Sequence, residues 1–453
     1  MQTQTTPTGW RVYLEKKVLI MLSLGFSSGL PILLVFGTLS FWLREADVSR
    51  TEIGFFSWVG LAYGFKWVWS PLIDRFPLPL FSRLFGRRRG WMLLSQLIIT
   101  LSLIGMGMSD PSYQLPLLAL FALMVAFASA TQDIVIDAYR IELAEERLQA
   151  ALAASYMTGY RLAMILAGAG ALTISAWLGS DNEYVITGWR WAYFVMASFM
   201  LVGIITTLLI KEPSINMKAI EDQEASFLER LEQKGVHGRK ARFLSWLYSA
   251  VYLPFADFFQ RHGKGALLIL ALIATYRISD VVMGVMAYAF YVDVGFSKTE
   301  VASISKIYGV IMTLLGAGFG GILVNRFGTI KILTLGAIVA AITNALFVVL
   351  SYTGPSIAML TLVISADNLG AGIATAAFIT YISGLTNVAF SATQYAVFSS
   401  IMLLFPKFVA GFSGLYVDRF GYDVFFFTSA LIGFPVLLLI YLVNRLPVSS
   451  PNQ

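Results

Sequence analysis

The sequence predicts an all-α membrane protein of about twelve spanning helices, arranged as two sets of six. Three observations carry that prediction. Apolar runs of about 20 residues recur from one end of the chain to the other. Only 13% of the 453 residues are charged while 57% are hydrophobic. One long polar stretch divides the runs into six and six.

The runs fall at roughly 18–42, 53–72, 91–109, 116–138, 149–178 and 189–210, then at roughly 265–291, 299–324, 330–351, 356–383, 390–416 and 422–444. A backbone in lipid must satisfy its own hydrogen bonds, so each run reads as a helix. Lys16 and Lys17 precede the first run, but Val18 to Trp42 outlasts the apolar part of a signal peptide and no small-x-small cleavage site follows. It therefore reads as the first spanning helix. The expected organisation is an N-terminal six-helix bundle over 1–210, a cytoplasmic central loop over 211–264 and a C-terminal six-helix bundle over 265–453. In the loop, Phe227, Leu228, Leu231 and Trp246 are spaced for amphipathic helices on the membrane surface. A solvated tether between the bundles fits the loop equally well.

Lys and Arg set the orientation. Lys16 and Lys17, then Arg83 and Arg87 to Arg89, then Arg140 and Arg147, the basic central loop, and Arg326 with Lys331 all fall on one side if both termini are cytoplasmic. Arg44, Arg50, Lys298 and Arg419 fall on the other. The net charge of +6 thus belongs to membrane topology and not to nucleic-acid binding. The chain has no Cys, which excludes disulfides, thiolate nucleophiles and Cys-based metal sites. His237 and His262 lie in the polar middle and read as solvated loop residues, so neither a metal nor a cofactor is expected. No nucleophile–base pair or nucleotide loop appears, which argues against an enzyme.

The halves look like degenerate repeats. Pro71-Leu72-Ile73-Asp74-Arg75-Phe76 closes the second run, and Gly321-Ile322-Leu323-Val324-Asn325-Arg326-Phe327-Gly328 closes the eighth. Paired repeats place a substrate site between them. Gly29-Leu30-Pro31 and Pro406 are expected to interrupt the first and eleventh spans, and Gly159, Gly168, Gly170, Gly316 and Gly320 supply close-packing faces.

Charges inside spans cost several kcal/mol unless paired or hydrated, so they face the bundle interior or a wet cavity. Lys66, Arg161, Arg277, Asp280, Lys306, Asp367 and Lys407 all sit inside apolar runs. Arg277 and Asp280 are three apart and share a helix face. Together with Asp74, Arg75 and Arg140, the residues Lys66, Arg277, Asp280, Lys306 and Asp367 are assigned to gating or a charge network. Asp133 and Asp137 lie four apart with Arg140 one turn on. Two such carboxylates cannot both ionise cheaply, so one can take up and release a proton. The alternative is an inner-face charge network that locks helix ends. The remaining polar set is Gln132, Arg161, Asn368, Thr393, Gln394 and Lys407. Cations beside amides and hydroxyls suit a bulky, polar, anionic solute. The abundant aromatic residues suit sugar rings, or an interfacial belt.

Asp74-Arg75 followed by Gly86-Arg87-Arg88-Arg89 resembles the signature loop of the major facilitator superfamily, with residues 76–85 between its two parts. A closer resemblance is carried by Gly25-Phe26-Ser27-Ser28-Gly29-Leu30-Pro31, Ile53-Gly54-Phe55-Phe56-Ser57, Phe65-Lys66-Trp67-Val68-Trp69-Ser70-Pro71, Gln132-Asp133-Ile134-Val135-Ile136-Asp137-Ala138, Gly159-Tyr160-Arg161-Leu162 and Ser391-Ala392-Thr393-Gln394-Tyr395. These segments, spread over both halves, resemble the AmpG muropeptide permeases. That resemblance implies a major facilitator fold in the bacterial inner membrane. It also implies proton-driven import of N-acetylglucosaminyl-1,6-anhydro-N-acetylmuramic acid, with or without peptide, from periplasm to cytoplasm for peptidoglycan recycling. Asp133, Gln132, Asp137, Arg161 and Gln394 occupy matching motif positions. Asp367-Asn368 stands where the family pattern has Glu-Asn, and Lys407 stands where it has Arg, which removes a bidentate donor. The expected machine is a monomeric symporter working by alternating access, with Asp133 and Asp137 carrying the proton. Another bulky anionic cargo, such as acetyl-CoA or a different sugar, is the alternative, since acetyl-CoA transporters are distant relatives. A membrane enzyme or a non-transporting receptor is the third class.

Overall fold

In the computed structural model of the chain, residues 14–75, 77–143, 146–212, 253–385 and 391–446 are described. Among them there is helix and no strand. Ten helices are long and apolar enough to cross a membrane: α1 Lys16–Glu45, α3 Arg87–Met108, α4 Pro111–Arg140, α5 Leu152–Leu178, α6 Ile186–Leu209, α7 Gly265–Val294, α8 Lys298–Val324, α9 Thr329–Thr353, α10 Ile357–Leu385 and α12 Ser413–Asn444. The second and eleventh positions are filled by α2 Leu61–Arg75 and α11 Ser391–Ala410. The twelve positions expected from the hydropathy pattern are all occupied. Large apolar side chains such as Leu101, Ile322 and Leu438 stand exposed on the outer surface, as helices bathed in lipid require. The protein is an all-α, multi-pass membrane protein. Of the expected central loop, most lies outside the described residues; a helix, Leu253–His262, runs up to α7.

Helices pack closely where side chains are smallest. A Cβ on Gly25 of α1 would fall 2.1 Å from the Tyr156 carbonyl oxygen of α5, and one on Gly159 would fall 2.0 Å from that of Leu22. In the second half, Gly316 of α8 presses on Leu369 of α10 in the same way.

The breaks in α1 and α11 differ from the expectation. Pro31 and Pro406 both lie inside continuous helix. The helices break further on, at Phe36 (φ −122°, ψ −105°) and after Ala410. Gly37 and Gly411 sit at these points, and glycine holds a helix about 1 kcal/mol less well than alanine. Helix α7 is interrupted at Tyr276-Arg277, with Arg277 at φ −98°, ψ 9°. Helix α12 turns sharply at Gly421 (φ 85°), a conformation glycine adopts without strain. Residues of α5 (Leu166–Gly170) and α8 (Ala302–Tyr308) form π-helix, a geometry that often marks functional segments.

Candidate functional site

The two halves are bolted together at the end of the bundle remote from Lys16, called here the distal end. Lys298 at the start of α8 is fully buried and pairs with Glu45 at the end of α1 at 2.7 Å. Trp189 Nε1 donates to the same carboxylate at 2.6 Å, and Lys298 Nζ also donates to the carbonyl oxygens of Ser180 and Glu183. Trp189 in turn stacks on Trp42, so the pair sits in an aromatic, water-poor setting. Nearer the surface, Asp293 accepts from Arg44 at 2.5 Å and from Arg50 at 2.8 Å, and Tyr422 donates to it at 2.6 Å. Asp418 accepts from Arg50 at 3.2 Å and from both the backbone N–H and the hydroxyl of Thr51. A capping box, Ser49 with Glu52, starts the short helix Arg50–Phe56 that presents these donors. Thr299 donates to Asp181 at 3.0 Å through its N–H and its hydroxyl.

Sequence reasoning missed Glu45, Asp181, Asp293 and Asp418. A signal for them existed: Arg44, Arg50 and Lys298 lay on the side where basic residues are disfavoured. Each has an acidic partner on the other half of the molecule.

Beneath this seal lies a cavity with two lobes. The first, about 210 Å³, is walled by both halves, including Phe36, Gly37 and Ser40 from the first and Asp280, Tyr288 and Lys407 from the second. The second, about 190 Å³, lies within the second half and is walled by Arg277, Asp280, Ser305, Asp367 and Asn368 among others. The lobes share Asp280, Gly284 and Tyr288. The breaks at Phe36 and Arg277 fall in the cavity wall.

The structure distributes the sequence-selected residues over three places. At the cavity, Arg277 Nε donates to Asp280 at 3.1 Å and its Nη1 donates to Thr375 at 2.8 Å. Asp367 accepts from Thr343 at 3.3 Å. Asn368 accepts from Thr313 at 2.9 Å and donates to the Ile364 carbonyl. Lys407 rests over the Phe36 ring, 4.0 Å from its centroid; Lys306 lines neither lobe and rests over the ring of the wall residue Tyr288, 3.6 Å from its centroid.

The second place is the inner face of the first half. Asp133 accepts a short hydrogen bond from Ser28, whose hydroxyl is 2.8 Å from that of Tyr156. Gln132, fully buried, accepts from Ser27 at 3.2 Å, and its Nε2 has no partner. Asp137 does not join Asp133; it is half exposed and pairs with Arg140 at 3.4 Å. Arg161 is partly buried and its Nη1 approaches Met164 Sδ at 3.8 Å. Lys66 lies within electrostatic reach of Asp133 without forming an ion pair among the described residues.

The third place is the end near Lys16. Arg88 is held by Glu142 at 2.6 Å. The carboxylate of Glu212 accepts from the backbone N–H groups of Arg88 and Arg89 at 2.7 and 3.1 Å, where it meets the positive end of the α3 dipole. Arg89 donates to the carbonyls of Thr207 and Leu208 at the end of α6. The arginines of the Gly-Arg-Arg-Arg run thus tie the ends of α3, α4 and α6 together. The side chains of Asp74, Arg75, Thr393 and Gln394 lie outside the described residues.

A model described as Major Facilitator Superfamily matches residues 18–281 and 265–453. The Escherichia coli K12 anhydromuropeptide permease is 34% identical over 437 residues, covering 96% of this chain and 81% of that protein. The chain belongs to the AmpG family of the major facilitator superfamily. A Rickettsia felis protein that carries the name AmpG 4 is 31% identical over 435 residues, with 96% and 98% covered. Among solved structures, the xylose transporter XylE from E. coli superposes with a TM-score of 0.63 at 13% identity, covering 96% of this chain and 97% of that one. At that identity the likeness concerns the fold alone. The chain is a transporter of this superfamily, and its named relatives are permeases and transporters.

Proposed function

We propose that this AmpG-family transporter is a proton-coupled importer of anhydro-muropeptides, carrying N-acetylglucosaminyl-1,6-anhydro-N-acetylmuramic acid with or without peptide from periplasm to cytoplasm for peptidoglycan recycling. The observation that carries the reading is the cavity walled by both halves, with cationic and amide groups of the second half facing it and every inter-half ion pair named above lying at one end. A site closed at one end between two related halves is what alternating access needs. The kind of cargo follows the E. coli relative's name, and it agrees with a wall that offers Lys407, Arg277 and Asn368 beside Tyr288. In this reading both termini lie in the cytoplasm of an inner membrane, so the distal seal faces the periplasm.

Asp133 is the proton carrier in this proposal. It is an intramembrane carboxylate held by a neutral hydroxyl and not by a cation, so its proton can come and go without breaking an ion pair. Asp137, paired with Arg140 nearer water, leads protons towards it. Arg161, Lys407, Gln132, Asn368, Thr393 and Gln394 are the proposed substrate contacts. Proteoliposomes given labelled anhydro-disaccharide should accumulate it under an inward proton gradient. Active vesicles that show no gradient-dependent uptake would remove the claim, and counterflow of a different anionic solute would favour the other-cargo reading.

A further inference from the structure

Lys407 in the cavity wall and Lys306 behind that wall have no acidic partner among the described residues. Neither Lys407 nor Lys306 takes part in any ion pair among the described residues. Lys407 stands in the wall of the first lobe. Lys306 is 2% exposed, and its Nζ has no hydrogen-bond partner. It comes from the π-helical turn of α8 and reaches across to the first half. Its stem fills the space over Gly168, where a Cβ would meet Lys306 Cδ at 2.8 Å. Its tip fills the space at Gly37, where a Cβ would meet Nζ at 2.8 Å. Gly37 and Tyr288, the two residues that enclose the amine, are both cavity wall. Of the wall carboxylates, Asp280 is taken by Arg277, and Asp367 lies in the second lobe, beyond 4.0 Å of either lysine.

A cation held over an aromatic face gains a modest attraction from the ring. A charge in the bilayer interior costs more than that. A ring face alone therefore leaves each amine under-compensated, and an anion would complete it. We propose that Lys306 is the second of two anion-binding amines at this cavity, so that the site takes a solute carrying two separated carboxylates, one for Lys407 and one for Lys306. Tyr288 is the lid between Lys306 and the first lobe, and it is the group that a carboxylate displaces. Gly37 opposite the amine and Gly168 opposite its stem leave the tip able to move without rearranging a side chain of the first half. The choice of probe rests on the muropeptide reading; the two-amine site does not.

The test uses the full-length protein in nanodiscs and two probes, a peptide-bearing anhydro-disaccharide with free carboxylates and its methyl ester. The unsubstituted protein should bind the acid at least ~10-fold tighter than the ester, Lys306→Met should lose most of that ratio with ester affinity held within about 2-fold, and Lys306→Arg should restore it. An unchanged ratio in Lys306→Met overturns the proposal. A second measurement needs no cargo. Methionine keeps most of the stem and removes the charged tip, so Lys306→Met should melt higher than its parent in the absence of solute; a lower melting temperature means the lysine is held for structure and also overturns it. If the parent binds neither probe, the muropeptide reading falls. Thermal protection by linear dicarboxylates over monocarboxylates then decides: protection lost in Lys306→Met supports the site, and none in the parent sinks it.

Discussion

Replacing Lys298 with methionine should unlock the distal end of the transporter. The lysine is fully buried, and its partner Glu45 has 8% of its side chain exposed. Removing one member of a buried pair leaves the other charge uncompensated, at a cost of about 3–5 kcal/mol. Trp189 still donates to Glu45, which argues for the lower end. The cost falls on the distal-closed state, because opening that end returns Glu45 to water. At about 1.4 kcal/mol per factor of ten, the equilibrium should move on the order of 10²-fold towards opening. The chain has no cysteine, so Val281→Cys, in the wall of the first lobe, gives a single reporter. A membrane-impermeant maleimide added from the distal side should label it on the order of 10²-fold faster in Lys298→Met than in the parent, up to the rate of a freely accessible thiol. The double variant Glu45→Gln with Lys298→Met should recover most of the slow labelling, since it removes both charges. Folded Lys298→Met protein that labels at the parental rate, or a double variant as fast as the single, would refute the reasoning. Arg50→Gln serves as contrast: its pairs are 29% exposed on the arginine side, and such pairs contribute at most about 1 kcal/mol, or about 5-fold.

Other expectations are simpler. Asp133→Asn keeps the shape that Ser28 binds, so exchange of cargo across the membrane should continue while accumulation under a proton gradient falls at least ~10-fold; unchanged accumulation removes Asp133 as the carrier. Gly159→Val should fail to fold or should lower the melting temperature, since overpacking costs about 1–3 kcal/mol and the added carbons meet backbone in α1 and not a movable side chain; normal melting would contradict the crossing. Glu212→Gln should lower thermal stability by about 1 kcal/mol, through lost attraction to the α3 N-terminus and weaker acceptance from Arg88 and Arg89. Its melting temperature in high salt should differ less from the parent's.

Apolar runs alone located the helices, ten of them long and apolar enough to cross a membrane, because lipid forces every apolar run to be a helix. Intramembrane charge found Arg277, Asp280, Asp367 and Lys407, and the inward polar set found Asn368, which the fold gathers at one cavity. Local spacing was less reliable for Asp133 and Asp137. Four residues apart puts them on one face, yet the helix end leaves Asp137 to solvent and to Arg140. The distal seal was out of reach for a different reason. Arg44 and Asp293 are 249 residues apart, and no local pattern marks a contact that exists only when two halves close. Proline misled in a third way: Pro31 and Pro406 stay inside helix, and the breaks fall at later glycines. A missing N–H in a tightly packed helix is tolerated when neighbours hold it.

Because α1 is split at Phe36-Gly37 in the cavity wall, its outer rod can turn independently of its inner one. The inner rod of α1 is clamped to α5 through Gly25 and Gly159, backbone against backbone. The outer rod, Gly37–Glu45, carries the charges of the seal. Rocking at Phe36 would swing those charges apart while the clamp below stays shut. A passage of this kind can open its mouth without dragging a whole membrane-length helix through lipid, and the pivot lies in the cavity wall.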